Sequence, residues 1–146
     1  MTIKDALNKG IMKLKEKSIE DPIIKSRILM SHILKKDKGY LITHDKEVVS
    51  KENVKVFLDN ITLLIEGTPI QYVIKKQEFM KLNFYIDSHV LIPRCDTEIL
   101  VEEVLSISKK YKKNVYILDL CTGSGVIAVT LAKNIEKCVI VRNRYK

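Results

Sequence analysis

The feature that most limits what this chain can fold into is the join around Leu120–Val126. The short apolar run Val115–Leu120 stops at Cys121-Thr122-Gly123-Ser124-Gly125, and helical spacing then begins through Ile127, Ala128 and Leu131. An apolar run of this length without polar alternation is the pattern of a strand buried on both faces. Glycines directly after it allow a sharp backbone turn and close approach of a ligand. A second apolar run, Cys138–Val141, follows the helical stretch. Strand, glycine turn, helix and strand at these short separations predict two parallel strands joined by a crossover helix, Ser124–Asn134.

The chain upstream has a different period. Thr2 with Asp5 three residues on reads as a capping box, ahead of a helix carrying Ile3, Ala6, Leu7, Ile11 and Leu14 on one face. Asp21-Pro22 marks a second helix start, because proline at the first helical position loses no needed N–H. An apolar stripe is expected there from Ile24, Ile28, Leu29, Ile33 and Leu34, with His32 packed between helices. A helix from about Ser50 carries Val54, Phe57, Leu58, Ile61, Leu64 and Ile65, and Gly67 before Thr68-Pro69 ends it. Residues 36–46 read as a short helix or a loop. Lys76–Met80 and Leu82–Ile86 alternate as the two strands of a hairpin. The run Val90-Leu91-Ile92 is stopped by Pro93, and Asp96 or Thr97 caps a helix reaching about Lys110.

Composition narrows the classes. Of 26 basic residues only Arg27, Arg94, Arg142 and Arg144 are arginine, within a net charge of +8. A nucleic-acid groove recruits arginine for its planar fork. The lysines therefore read as a solvated surface without sequence-specific nucleic-acid contacts, although a phosphate-bearing complex such as the ribosome stays open as a partner. Cys95, Cys121 and Cys138 are far apart and form no C-x-x-C pair, so neither a metal site nor a disulfide frame is expected. Free thiols and the lack of an apolar leader or spanning run point to a cytoplasmic protein without a membrane anchor.

The glycine loop admits three readings. A P-loop requires a lysine after the last glycine, and none follows Gly125. Gly123-Ser124-Gly125-Val126-Ile127-Ala128 matches the dinucleotide fingerprint G-x-G-x-x-A, with Arg142 roughly 20 residues on, where a 2′-phosphate partner would stand. The third reading adds Asp119. A strand-end acid followed by D-x-G-x-G-x-G is a methyltransferase pattern, filled here except for Cys121 in the first glycine position. The acid suits the cationic amino end of S-adenosylmethionine.

The segment before the loop favours this last reading. Gly67-Thr68-Pro69-Ile70-Gln71-Tyr72-Val73 precedes Gln77-Glu78-Phe79-Met80, and Leu91-Ile92-Pro93-Arg94-Cys95-Asp96-Thr97-Glu98 follows at a fixed distance from Asp119. In this order the motifs resemble the bacterial protein-(glutamine-N(5)) methyltransferases that modify peptide chain release factors. The helical start, with Ser31-His32-Ile33-Leu34, is similar to their recognition domain. The resemblance implies α + α/β architecture. Residues 1–67 would be a helical release-factor-recognition domain, 68–88 a β-hairpin linker, and 89–146 the first part of a Rossmann-like domain. It implies S-adenosylmethionine as cofactor, a release factor as partner, and methylation of the glutamine amide of a Gly-Gly-Gln motif. By the same resemblance Asp119, Cys121, Thr122, Gly123, Ser124 and Gly125 bind the cofactor, and Arg94, Thr97 and Glu98 line the cleft.

Several departures shape the expectation. The prolines are Pro22, Pro69 and Pro93, so the family's amide-orienting Asn-Pro-Pro-Tyr motif is absent from these residues. The family places an acid for the ribose hydroxyls at the end of the second strand, where this chain instead reads Val139-Ile140-Val141-Arg142-Asn143-Arg144-Tyr145-Lys146. The tail Arg142-Asn143-Arg144-Tyr145-Lys146 reads as out-of-frame or decayed sequence. Lys75 and Lys81 occupy frequent glycine positions, and Cys95 a usual proline. The expectation is a truncated, catalytically inactive chain whose two-stranded sheet leaves an apolar face open. Two alternatives are a non-catalytic release-factor-binding module and an NADP-binding half-domain.

Overall fold

The computed structural model describes residues 1–111 and 114–143. Arg144, Tyr145 and Lys146 of the basic tail lie outside the described residues. By internal contact the chain divides into two compact units, Met1–Ile74 and Lys75–Lys146.

The first unit is helical. Helix α1 spans Ile3–Glu16 and starts with the expected capping box, in which the Thr2 hydroxyl accepts the Asp5 N–H and the Asp5 carboxylate accepts the Thr2 N–H. Both bonds satisfy donors that a helix N-terminus otherwise leaves open. They hold the Asp5 carboxyl below its ordinary pKa. Helix α2 spans Pro22–Leu34, and α3 is the short helix Lys38–Thr43. Helix α4 spans Lys51–Ile65 behind Ser50, whose hydroxyl accepts the Asn53 N–H. It closes in a Schellman arrangement at Gly67 (φ 91°), with Thr68 N–H bonded to the Leu63 carbonyl and Gly67 N–H to that of Leu64.

The core is built from Ile3, Ala6, Leu7 and Leu14 of α1, Leu29 and Met30 of α2, and Phe57, Ile61 and Leu64 of α4, closed by Leu41 and Val49. Gly10 is buried where α1 meets α4. The face of α2 differs from the expected stripe. Ser26, Leu29 and Met30 are buried, whereas Ile24 is 53% exposed. His32 is also exposed, so it is not a packing residue. The helix is apolar on more than one side, and periodicity alone cannot choose which side faces inward. The helical unit also runs past Gly67. Ile70–Ile74 forms a further helix, α5, with Ile70, Val73 and Ile74 packed on the same core.

The second unit begins with the hairpin of β1 (Gln77–Phe79) and β2 (Leu82–Phe84), paired antiparallel. Met80 and Lys81 make its two-residue turn, both at positive φ (49° and 62°). Two left-handed central residues define the hairpin turn that Asn-Gly fills best. Neither residue here is suited to it, at a cost of about 1–2 kcal/mol per residue. Replacing Met80-Lys81 with Asn-Gly is therefore expected to stabilise the second unit by about 1 kcal/mol, after the extra unfolded-state entropy of glycine is deducted. A rise of several degrees in its thermal midpoint would register this. A fall would show that the Met80 and Lys81 side chains contribute more than the backbone strain removes.

No strand forms over Val90–Ile92. Helix α6 spans Asp96–Ser108, with Cys95 at its cap and no side-chain cap bond, so neither Asp96 nor Thr97 caps it as expected. Strand β3 (Val115–Leu120), helix α7 (Val126–Asn134) and strand β4 (Cys138–Asn143) follow. The two strands pair in parallel from Val115↔Cys138 to Leu120↔Asn143, with α7 as the connection. A core of Phe79, Val101, Val126 and Leu131 joins the hairpin, α6 and α7 to one sheet face through Ile117 and Ile140.

The opposite sheet face is bare. Tyr116, Leu118 and Leu120 are 75%, 61% and 61% exposed, and Val139 and Val141 lie beside them on β4 at 46% and 58%. Apolar side chains of this size each gain about 1.5–3 kcal/mol on full burial. The second unit forgoes much of that gain on this face.

Candidate functional site

The cleft at the glycine loop is built by the second unit alone. Its volume is about 490 Å³, and it is lined by Tyr85, Ile86, Asp87, His89, Val90, Thr122, Gly123, Ser124 and Arg142. The floor is the turn between β3 and α7. Cys121, Gly123 and Gly125 all have positive φ (62°, 54° and 80°). Cys121 thus adopts a left-handed conformation at the position where the methyltransferase pattern has glycine. The loop is fixed at both ends. Thr122 N–H donates to the Asn143 carbonyl at 3.2 Å, and Gly125 N–H donates to the Thr122 carbonyl at 2.8 Å.

Of the six loop residues expected to bind a cofactor, Thr122, Gly123 and Ser124 line the cleft. Asp119 is buried beneath them, and its Oδ2 accepts the Thr122 hydroxyl at 2.8 Å. Its carboxylate therefore orients the loop through Thr122. Gly125 caps α7, and Cys121 is exposed at the turn. The loop side fits a cofactor that must approach backbone closely, since Gly123 and Gly125 put no side chain over the turn.

The residues expected on the other wall are placed differently. Arg94, Thr97 and Glu98 are not among the cleft-lining residues. Glu98 instead reaches the hairpin, where its Oε1 accepts the Met80 N–H at 2.7 Å. This bond satisfies a turn donor with a charged acceptor and ties the hairpin to the first turn of α6. Arg94 is exposed, and Thr97 is half-buried.

Sequence reasoning missed the wall from Tyr85 to Val90. Asp87 Oδ1 there accepts the His89 N–H at 3.0 Å and lies 3.1 Å from His89 Nδ1. The backbone bond, then the imidazole, hold the Asp87 carboxyl below its ordinary pKa. An Asp two residues before a potential partner is an Asx-turn signal that could have found this pair. His44 also has partners, the Thr43 hydroxyl and the Tyr40 ring stacked on it at 3.9 Å between centroids. No group of three metal-ligating side chains and no membrane-spanning helix occurs among the described residues.

Comparison with known proteins reaches both units. Residues 5–74 match the family model of the PrmC N-terminal domain, close to the bounds of the helical unit. The release factor glutamine methyltransferase of Clostridium acetobutylicum is 44% identical over 135 residues, covering 91% of this chain and 46% of the relative. The chain is similar to release factor glutamine methyltransferases over most of its own length. The relatives so named from Clostridium botulinum and Borreliella burgdorferi are 38% and 42% identical, over 97% and 81% of this chain. The chain spans about half the length of the curated relatives it matches. The two clostridial alignments, over 135 and 143 residues, are long enough to include the glycine loop as well as the helices.

Proposed function

We propose that the glycine-loop cleft is the cofactor wall of an S-adenosylmethionine-dependent methyltransferase that modifies the glutamine amide of a release-factor Gly-Gly-Gln motif. The β3–α7–β4 unit is then the opening βαβ of a Rossmann-like domain, and the helical unit recognises the release factor. The observation that carries the reading is the turn Cys121–Gly125, left-handed at Cys121, Gly123 and Gly125, over the buried Asp119, in a chain whose relatives are named release factor glutamine methyltransferase. S-adenosylmethionine supplies an electrophilic methyl group when bound. This chain contributes the loop N–H groups, the Thr122 and Ser124 hydroxyls and the Asp119 carboxylate that orders them. The fit ends at Arg142. A guanidinium has five donors and no acceptor, and so cannot receive ribose hydroxyl protons as a carboxylate would.

A chimera tests the proposal. The segment from Val141 onward is replaced by the corresponding segment of the Clostridium acetobutylicum relative, and ligand binding is followed by calorimetry. S-adenosylmethionine should bind, NADP should not, and Asp119→Asn should weaken binding about tenfold by releasing Thr122 from a charged acceptor. NADP binding without S-adenosylmethionine binding would assign the loop to dinucleotide recognition instead.

A second reading has its own support. The helical unit has a closed core and by itself matches a domain model. It would serve as a release-factor-binding module without catalysis. Pull-down of a release factor by residues 1–74 supports that role, and failure to bind removes it.

A further inference from the structure

Arg142 sits at the C-terminal end of β4, opposite Asp119 in the ladder, and its side chain leans over the loop. Its Nη1 is 3.3 Å from where a Cβ on Gly125 would lie. It lines the same cleft as Thr122, Gly123 and Ser124. Asp87, the acid of that cleft, is engaged by His89, and no carboxylate forms an ion pair with Arg142 among the described residues. The cleft therefore presents a forked cation beside the glycine loop, at the strand end where dinucleotide folds use an acid for a free ribose and an arginine for a 2′-phosphate.

We propose that Arg142 sets the ligand class of this cleft, favouring an adenosine ligand with a phosphorylated ribose over the free diol of S-adenosylmethionine. The inference rests on reading the cleft as an adenosine-cofactor site and adds which ribose that site takes. The chemistry is direct. Guanidinium pairs with phosphate through two parallel charge-assisted hydrogen bonds. Against a free ribose it can only donate, leaving the hydroxyl protons without an acceptor, and its charge opposes the sulfonium and ammonium of S-adenosylmethionine. A glutamate at the same position reverses both preferences.

The test uses the full chain and its Arg142→Glu, Arg142→Gln and Arg142→Lys variants, titrated separately with adenosine 2′,5′-bisphosphate and S-adenosylmethionine by ligand-observed NMR. Circular dichroism confirms that each variant is folded. Arg142→Glu should weaken the bisphosphate about tenfold and tighten S-adenosylmethionine by a similar factor. Arg142→Gln should move both ligands the same way by less, and Arg142→Lys should keep the native preference. If Arg142→Glu leaves the bisphosphate unchanged, or native protein binds S-adenosylmethionine as tightly as the variant, the inference is overturned and the cofactor reading stands. If neither ligand binds any folded variant, both fall.

Discussion

Incubated with S-adenosylmethionine and an unmethylated release factor, this chain is expected to produce no methylated glutamine. An amide nitrogen is a poor nucleophile because its lone pair is delocalised into the carbonyl. Methyl transfer to it therefore depends on holding the amide in line with the methyl group. Positioning of that kind lowers a barrier by about 7–11 kcal/mol in good cases. Each 1.4 kcal/mol, roughly, is a power of ten in rate. The Asn-Pro-Pro-Tyr run to which the resemblance assigns the orienting of the glutamine amide does not occur in these residues, whose three prolines lie at positions 22, 69 and 93. The cleft is lined by the loop, by the Asp87–His89 wall and by the Arg142 cation, and it has no wall that holds a peptide amide in line with a methyl donor among the described residues. The bare face of β3 and β4 also leaves the loop's own support without a second layer. Mass analysis of the Gly-Gly-Gln peptide reads the result, against a control lacking the chain. Methyl gain above that control would show that catalysis requires far less of the fold than a complete cleft, or that a partner supplies the rest.

The sequence was legible where one physical cause dominates. The capping box at Thr2 and Asp5, the stop at Gly67 and the glycine turn after Leu120 each have local causes, and all three appear where expected. Parallel pairing of β3 with β4 followed from short connections around a single helix. The departures at Lys81 and Cys121 were also readable, since glycine-preferring positions remain left-handed when another residue fills them. Legibility failed where tertiary contact decides between local equals. Either face of α2 is apolar enough to turn inward. The resemblance puts Glu98 in the cleft, yet its bond is to Met80, eighteen residues away. The Asp87–His89 wall went unread because its significance comes from facing the loop, which no spacing rule encodes. The short helix Ile70–Ile74 is hidden in the sequence because Gly67 followed by Thr68-Pro69 is a helix stop, whereas a proline can equally precede a new helical turn.

Truncating Phe57 to alanine is expected to remove about 3–5 kcal/mol from the helical unit, the usual cost of emptying an aromatic site in a close-packed core. Phe57 is fully buried and stands against Gly10 of α1. A Cβ on Gly10 would lie 2.7 Å from Phe57 Cζ, 2.8 Å from Cε1 and 3.2 Å from Ile61 Cδ1. Glycine there is thus the condition for α1 and α4 to approach with a phenyl ring between them. Gly10→Leu separates packing from propensity. Leucine is among the better helix formers and glycine among the worst, so propensity alone predicts a gain of about 0.8 kcal/mol. Overpacking instead predicts a loss of about 1–3 kcal/mol or more, because the ring has no free space to move into. The two substitutions are coupled. With Phe57 already alanine, the introduced leucine side chain has a cavity to fill, and the double variant should recover about 1–3 kcal/mol relative to the sum of the single losses. Urea unfolding of residues 1–74, followed by far-ultraviolet circular dichroism, measures all four corners of the cycle. Domains of this kind hold only about 5–15 kcal/mol in total. Phe57→Ala should accordingly shift the midpoint far toward lower urea, and Gly10→Leu should do so only while Phe57 is present. Equal effects of Gly10→Leu in both backgrounds would mean that the helices do not meet through this ring.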